Sequence, residues 1–465
     1  MSIASWVRSI CRLSALAGAL LILLAAGSCA AAVNTPEKAA DLTIFFTSDT
    51  RGMLRRCGCS EGQMGGLSAR ASYIKAHRVE SRTLVLDAGD MLFDGINPER
   101  PNKEFNVLKA QTVLKAMEES GYDATAYGEY DFAYGLDFLK YVTTGTMLRP
   151  LAANVSIDSK TVLFKKGLIK KLNGITVGVV GLMDSAFPYK DFNQTFRGVT
   201  VSDTKQAADR EVLELHKGAV DIAIVLAHLS VTDPEGFVKG LSGVDIVIQG
   251  HSQDVLEKPE KIGDTLLVKG FDKGKHIGRL DLWLTDKGGR KAIGDYRYSV
   301  IDVDESIPPD LKVEEIIAGY RAALKERLFV TQENDPPDAG HYIGPANCKG
   351  CHEEQYTNWS ATAHARAYAD LVKTGDQYDP ECLPCHTTGY GYASGFSVVN
   401  NKFPDVTCES CHGRGSLHAD GTPPAASTIK KVVDEASCRA CHDDYNSPNF
   451  EFERYKKMGG AHRGK

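Results

Sequence analysis

Five short apolar runs punctuate the first part of the chain: LTIFFTSD, TLVLDAGD, ITVGVVGL, DIAIVLAH and VDIVIQG. Each is rich in Val, Ile or Leu, and four of the five close on a polar residue or glycine, the pattern of strands buried on both faces of an α/β sheet. Between them NVLKAQTVLKAMEES and DTKQAADREVLELHKG follow a helical period. Later segments, DTLLVKG, HIGRLDLWLTD and AIGDYRYSVIDV, alternate apolar and polar residues and predict antiparallel strands. Residues 308–328 predict a helix, with Val313, Ile316, Ile317, Tyr320, Leu324 and Leu328 on one face and Pro308 and Pro309 at its start. VTQENDPPDAG then reads as a linker. Beyond it the pattern changes: residues 341–465 hold few apolar runs and many turn residues, with one predicted helix, SATAHARAYADLVK, capped by Ser360. The pattern divides the chain into an α/β domain at 41–304, a helix and linker at 305–340, and a small, mostly helical and loop-rich domain at 341–465.

The N-terminus follows neither pattern. Arg8 and Arg12 precede the apolar stretch LSALAGALLILLAAG, which is too short for a spanning helix and reads as the core of a secretory signal over residues 1–29. It ends at AAGSC, a lipobox-like sequence that makes Cys29 the candidate lipidated residue, with ordinary cleavage near Ala30–Ala32 as the competing reading. Either reading exports the chain to a periplasm or cell surface, and the first ties it to a bacterial membrane by a lipid anchor. The formal charge of −6 leaves no basic footprint for nucleic acid.

Cysteine usage supplies the chemistry. Eight of the twelve cysteines lie after residue 347, in CKGCH, CLPCH, CESCH and CRACH. In Cys-x-x-Cys-His the two thiols bond the vinyl groups of one haem and the histidine ligates its iron. Cys348, Cys351, Cys382, Cys385, Cys408, Cys411, Cys438 and Cys441 are thus candidate attachment sites, with His352, His386, His412 and His442 as proximal ligands. A disulfide- or zinc-stapled module would leave the histidine after every pair unexplained. Four more histidines in the region, His341, His364, His418 and His462, are the candidate distal ligands, since Met458 is its only methionine. That composition predicts four haems c, mostly bis-His, with potentials below those of Met/His sites. The stretches YIGPANCKGCH, NWSATAHARA and CESCHGRGSLH resemble tetrahaem cytochromes c of the ammonia-oxidiser type. The resemblance implies closely packed haems that pass electrons to redox partner proteins.

The stretches TSDTRG, GGLSARASYIK, LVLDAGD, GYDATAYGEYDFAYG, LAANV, LAHLS and VDIVIQGHSQ resemble the calcineurin-like metallophosphoesterases, above all the N-terminal domain of periplasmic 5'-nucleotidases and UDP-sugar hydrolases. The resemblance implies a four-layer α/β sandwich with two metal ions at the strand ends that clamp a phosphate and activate water. Carried onto this sequence, Asp49, Asp90, His228 and His251 match metal ligands, and Glu129 replaces an asparagine ligand. Tyr130 stands where the family has its general-acid histidine, and Arg51 and Gln253 stand where the first metal has histidines. The family's nucleobase-clamping domain is replaced by the haem region. The site is therefore expected to be degenerate, holding one divalent ion (zinc, iron or manganese).

Cys57 and Cys59, eight and ten residues beyond Asp49, form a Cys-Gly-Cys loop flanked by Arg55 and Arg56. Structural or incidental cysteines are the bland reading. The functional readings are ligation of a soft metal at the vacated position, or a dithiol/disulfide couple above a single metal. The sequence as a whole predicts an exported electron-transfer cytochrome on a degenerate phosphoesterase scaffold. The alternative is a hydrolase of a phosphate or sulfur ester carrying a cytochrome. As an enzyme the chain would be a redox enzyme or a weak hydrolase.

Overall fold

The computed structural model describes residues 38–56, 64–96, 102–148, 150–157, 161–162, 164–230, 233–252, 256–329, 333–421, 429–443, 446–447 and 449–459. Cys29, Cys57, Cys59, Gln253 and His462 lie outside the described residues. No helix among the described residues is long and apolar enough to cross a membrane.

The five apolar runs form the strands Leu42–Thr47, Thr83–Asp87, Ile175–Met183, Ile222–His228 and Ile246–Gly250. They are divided between two six-stranded sheets. The first runs in the order Arg290–Asp302, His276–Lys287, Leu42–Thr47, Thr83–Asp87, Ala124–Ala126, Pro150–Leu151. The second runs Glu260–Ile262, Thr265–Lys269, Ile246–Gly250, Ile222–His228, Ile175–Met183, Gly167–Leu172. Leu42, Ile44, Phe46, Leu84 and Leu86 of one sheet pack against Val177, Ile224, Leu226 and Ile248 of the other, all buried. The opposite face of the first sheet (Phe45, Val85) is covered by helices Leu67–His77 and Lys103–Glu119. The outer face of the second is covered by Thr204–Lys217 and Pro234–Lys239. The result is an α/β four-layer sandwich, its helices started by Asn102, Asp203 and Asp233 caps that accept from backbone N–H groups.

Two sequence expectations are corrected, and one is sharpened. DTLLVKG is not wholly antiparallel: Thr265–Lys269 runs parallel to Ile246–Gly250 and antiparallel only to the short Glu260–Ile262. The helix begun by Pro308–Pro309 is Leu311–Arg327, capped by Asp310. The expected apolar face is buried: Val313, Ile317, Tyr320 and Leu324 join the core beneath the first sheet. The single helix over SATAHARAYADLVK is broken into Glu353–Ser360, a 3-10 turn Ala363–Arg366 and Ala367–Thr374. Ser360 therefore ends a helix rather than capping one. Thr362 interrupts the helical run with an extended backbone, and its hydroxyl bonds Trp359 O at 2.7 Å.

The C-terminal region is a string of short helices. Among the described residues, its apolar cluster has Leu371, Leu383 and Phe396 as buried members.

Candidate functional site

The parallel strands deliver Asp49, Asp90, Glu129, His228 and His251 to one edge, at or just past their carboxyl ends, where open α/β sheets place ligand sites. Asp49, Arg51, Asp90 and His251 all have positive φ, between 48° and 56°, strain of a kind concentrated at functional sites. Asp90, Glu129, His228 and His251 each offer one ligand atom, and these atoms lie within 4.8 Å of one another. His228 Nε2 is 3.1 Å from Asp90 Oδ2 and 3.3 Å from Glu129 Oε2, and His251 Nδ1 is 2.5 Å from Glu129 Oε1. Asp90 Oδ2, Glu129 Oε1, His228 Nε2 and His251 Nδ1 are buried without a hydrogen-bond partner. Four orphaned polar atoms converging on one point fit a metal ion, and a set of two imidazoles and two carboxylates suits zinc, iron or manganese.

The surroundings hold the ligands in place. His228 Nδ1 bonds Ala88 O at 2.8 Å, which turns Nε2 inward. Asp131, missed by sequence reasoning, accepts from the amides of Met91, Leu92 and Gly128 at 3.0 Å and so ties the loop of Asp90 to that of Glu129. Burial pushes the Asp90 carboxyl up to about 6 against the pull of His228. Burial alone would raise Glu129 as well, but His228 and His251 hold it far below the usual carboxylate range. A Cβ at Gly128 would collide with Asp90 Oδ1 and reach 2.7 Å from His228 Nε2. Gly128→Ala is therefore expected to weaken metal retention by roughly 10- to 100-fold, read by metal analysis after dialysis; unchanged retention would show that these four residues do not hold the ion.

Asp49 stands outside that cluster. Its Oδ2 accepts from Ser48 Oγ at 2.6 Å and from the His251 amide at 2.9 Å, and its Oδ1 is 3.2 Å from Arg51 Nη2. Arg51 also reaches Asp272 at 3.2 Å and Asp94 at 3.4 Å, and its Cζ lies 5.4 Å from the centre of the Tyr130 ring. Arg51 is 9 % exposed. Its pKa is raised despite burial, chiefly by Asp272 and Asp49. An arginine cation thus sits against Asp49. Asp94 and Asp272 carry no spacing signal that would have marked them.

In the C-terminal region the eight motif cysteines are free thiols. Cys348 contacts Cys408, and Cys385 contacts Cys441, so the first and third motifs are neighbours, as are the second and fourth. His352 and His418 face each other with ring centres 6.2 Å apart and 28° between planes. His364 and His442 do so at 6.0 Å and 54°. An iron between two imidazoles, at about 2 Å from each nitrogen as in other metal–imidazole bonds, needs ring centres about 6 Å apart. Burial lowers the pKa of His364 and His442, which keeps both neutral, the form that ligates. His386 Nδ1 bonds Ala367 O at 2.7 Å, His412 Nδ1 bonds Lys430 O at 2.6 Å and His442 Nδ1 bonds Ser447 Oγ at 2.8 Å, contacts that fix the orientation of each ring. His341 is exposed and tied to Ser416 through its backbone. A cavity of about 2420 Å³ threads His352, His364, His386, His412, His418 and His442, and the same cavity reaches Arg51, Arg55 and Asp94. These residues fit covalent haem.

A family model, "Cytochrome c554 and c-prime", matches residues 347–413. The first region matches 5'-nucleotidases and calcineurin-like phosphoesterases. The 2',3'-cyclic-nucleotide 2'-phosphodiesterase/3'-nucleotidase of Salmonella typhimurium is 30% identical over 263 residues, 48% of this chain and 40% of that one. The Bos taurus 5'-nucleotidase is 26% identical over 333 residues, 63% of this chain and 54% of that one. The crystal structure of calcineurin-like phosphoesterase YfkN from Bacillus subtilis superposes with a TM-score of 0.53 at 22% identity, covering 62% of this chain and 98% of that one. The chain spans 25% and 50% of the length of the first curated relatives it matches. A phosphoesterase-like α/β region and a cytochrome c554-like region are thus fused in one chain.

Proposed function

We propose that this chain is an exported multihaem c-type cytochrome for electron transfer, fused to a phosphoesterase-like region that holds one divalent metal and has given up two-metal hydrolysis. The observation that carries the reading is the pairing of motif histidines with distant ones, His352 with His418 and His364 with His442, at 6.2 and 6.0 Å. It supports four covalent haems, at Cys348/Cys351, Cys382/Cys385, Cys408/Cys411 and Cys438/Cys441, of which at least these two are bis-His. The contact of the first motif with the third, and of the second with the fourth, supports a closely packed chain of carriers. When bound, the haems supply one-electron transfer; the protein supplies the thiols, the paired imidazoles and the carbonyls that orient them. His341 and His462 remain the candidates for the other two distal positions. Export, and a lipid anchor at Cys29, rest on residues 1–29. A redox role for Cys57 and Cys59 is favoured by the neck of their loop: Arg55, two residues before Cys57, touches Cys382 Sγ at 3.4 Å.

The second reading, a phosphate- or sulfur-ester hydrolase with an attached cytochrome, keeps one observation in its favour: the four convergent ligand atoms. In it the metal would polarise the ester, held by Asp90, Glu129, His228 and His251.

The test is a pyridine haemochrome assay with spin-state spectroscopy. Wild type is expected to carry four haems per chain. His418→Ala and His364→Ala are each expected to leave four haems attached and to turn one from low-spin to high-spin. One haem or none in wild type, or no spin change in either variant, would sink the reading.

A further inference from the structure

The contact between the two regions is built from charge. The turn leading into Cys382 carries Asp376 and Asp379, 5 % and 2 % exposed, and the exposed Glu381. The phosphoesterase-like region and its last helix answer all three. Arg55 Nε donates to Asp376 Oδ2 at 2.9 Å, and Arg55 Nη2 lies 3.4 Å from Asp379 Oδ2 and 3.4 Å from Cys382 Sγ. Arg321 Nε donates to the other oxygen of Asp376 at 2.7 Å, and Lys109 Nζ reaches Glu381 Oε1 at 2.6 Å. Here the Cys382 thiol sulfur stands in for the thioether sulfur of the haem-loaded protein.

Resting on the haem reading, we propose that Arg55 sets the reduction potential of the haem carried by Cys382, Cys385 and His386. The phosphoesterase-like region would thereby govern the electron affinity of one particular haem. Reduction adds one electron to the iron–porphyrin unit, and a nearby fixed cation favours the reduced form. The effect is large where burial lowers the local dielectric. An arginine keeps its charge at every working pH. Arg55 lies four residues beyond Arg51, on the segment that leaves the strand end at Asp49, so the backbone that positions one cation positions the other. Arg55 is a positioning residue here: it acts on the haem through charge and touches no substrate.

Spectropotentiometric titration of the full-length, haem-loaded protein tests this, with dithionite as reductant and soluble mediators. In Arg55→Gln, one of four potentials is expected to fall by at least a tenfold change in its reduction equilibrium, about 59 mV for one electron. Arg55→Lys should restore most of the shift, because it keeps the charge. Asp376→Asn should move the same component upward, because it removes a negative charge from the cluster. The component that moves should be the one missing from a Cys382→Ala/Cys385→Ala double variant. If Arg55→Gln loads haem poorly, Asp376→Asn carries the test alone. No shift, an equal shift of all components, or a lysine variant that behaves like the glutamine one would overturn the proposal. Fewer than four haems in wild type would instead overturn the functional reading on which it rests.

Discussion

Made without haem attachment, either in a host lacking c-type maturation or with the eight motif cysteines replaced by serine, the chain is expected to keep its phosphoesterase-like region and lose the C-terminal one. The first region has complete apolar layers between its sheets and on both outer faces. The second has Leu371, Leu383 and Phe396 as its buried apolar cluster, while ordering each residue's backbone costs about 1–2 kcal/mol. What would otherwise be its core is the cavity of about 2420 Å³ ringed by histidines and cysteines. On the proposed haem reading, haem supplies the missing apolar contact, as metals do in small metal-dependent domains. Limited proteolysis should therefore cut just after the helix Leu311–Arg327, which packs into the first core and stays with it. The remaining fragment should keep a cooperative thermal transition and its far-UV signal. Protection of residues beyond 341 in the haem-free chain would contradict this and revive a disulfide- or zinc-stapled module.

Hydrolysis of nucleotides and other phosphate esters is expected to be orders of magnitude slower than in intact two-metal relatives, with one metal bound per chain. Loss of a general acid alone costs about 10²–10⁴ in rate, and Tyr130 cannot replace it. The phenol is half-buried, and burial together with Asp90 and Glu129 raises its pKa further above the ordinary value. The first metal's place faces a second obstacle. Arg51 holds Asp49 at 3.2 Å and neutralises Asp272 and Asp94 besides. A guanidinium cannot deprotonate to ligate, and a second divalent ion would have to displace it. An organic cation thus stands against Asp49, the carboxylate that the family resemblance assigns to the first metal. Metal analysis together with phosphate release across a panel of nucleotides checks both halves. Two tightly bound ions, or brisk metal-dependent release, would overturn the prediction and favour the hydrolase reading.

What the chain reveals by inspection is what local spacing controls. Buried strands need continuous apolar runs, so the sheet strands around Phe45, Val85, Val179 and Ile248 were legible, as was the amphipathic helix ending near Leu324. Haem attachment needs two thiols and an imidazole within one helical turn, so the four motifs announce themselves. Asp90, Glu129, His228 and His251 were legible for a related reason: each closes or follows an apolar run, and strand ends of one sheet edge share a place in space.

Contacts between residues far apart in sequence were decided by tertiary structure alone. His352 meets His418 and His364 meets His442, yet no pattern ties either partner to the other. The counter-ions of Arg51 come from the loops of Asp94 and Asp272, and Arg55 finds Asp376 and Asp379 in the other region. The break at Thr362 and the parallel run of Thr265–Lys269 are of the same kind. A helix ends or a strand chooses its neighbour according to what the rest of the chain places beside it. Periodicity encodes which face of a segment is buried; it does not encode what the buried face, or a charge beside it, will meet.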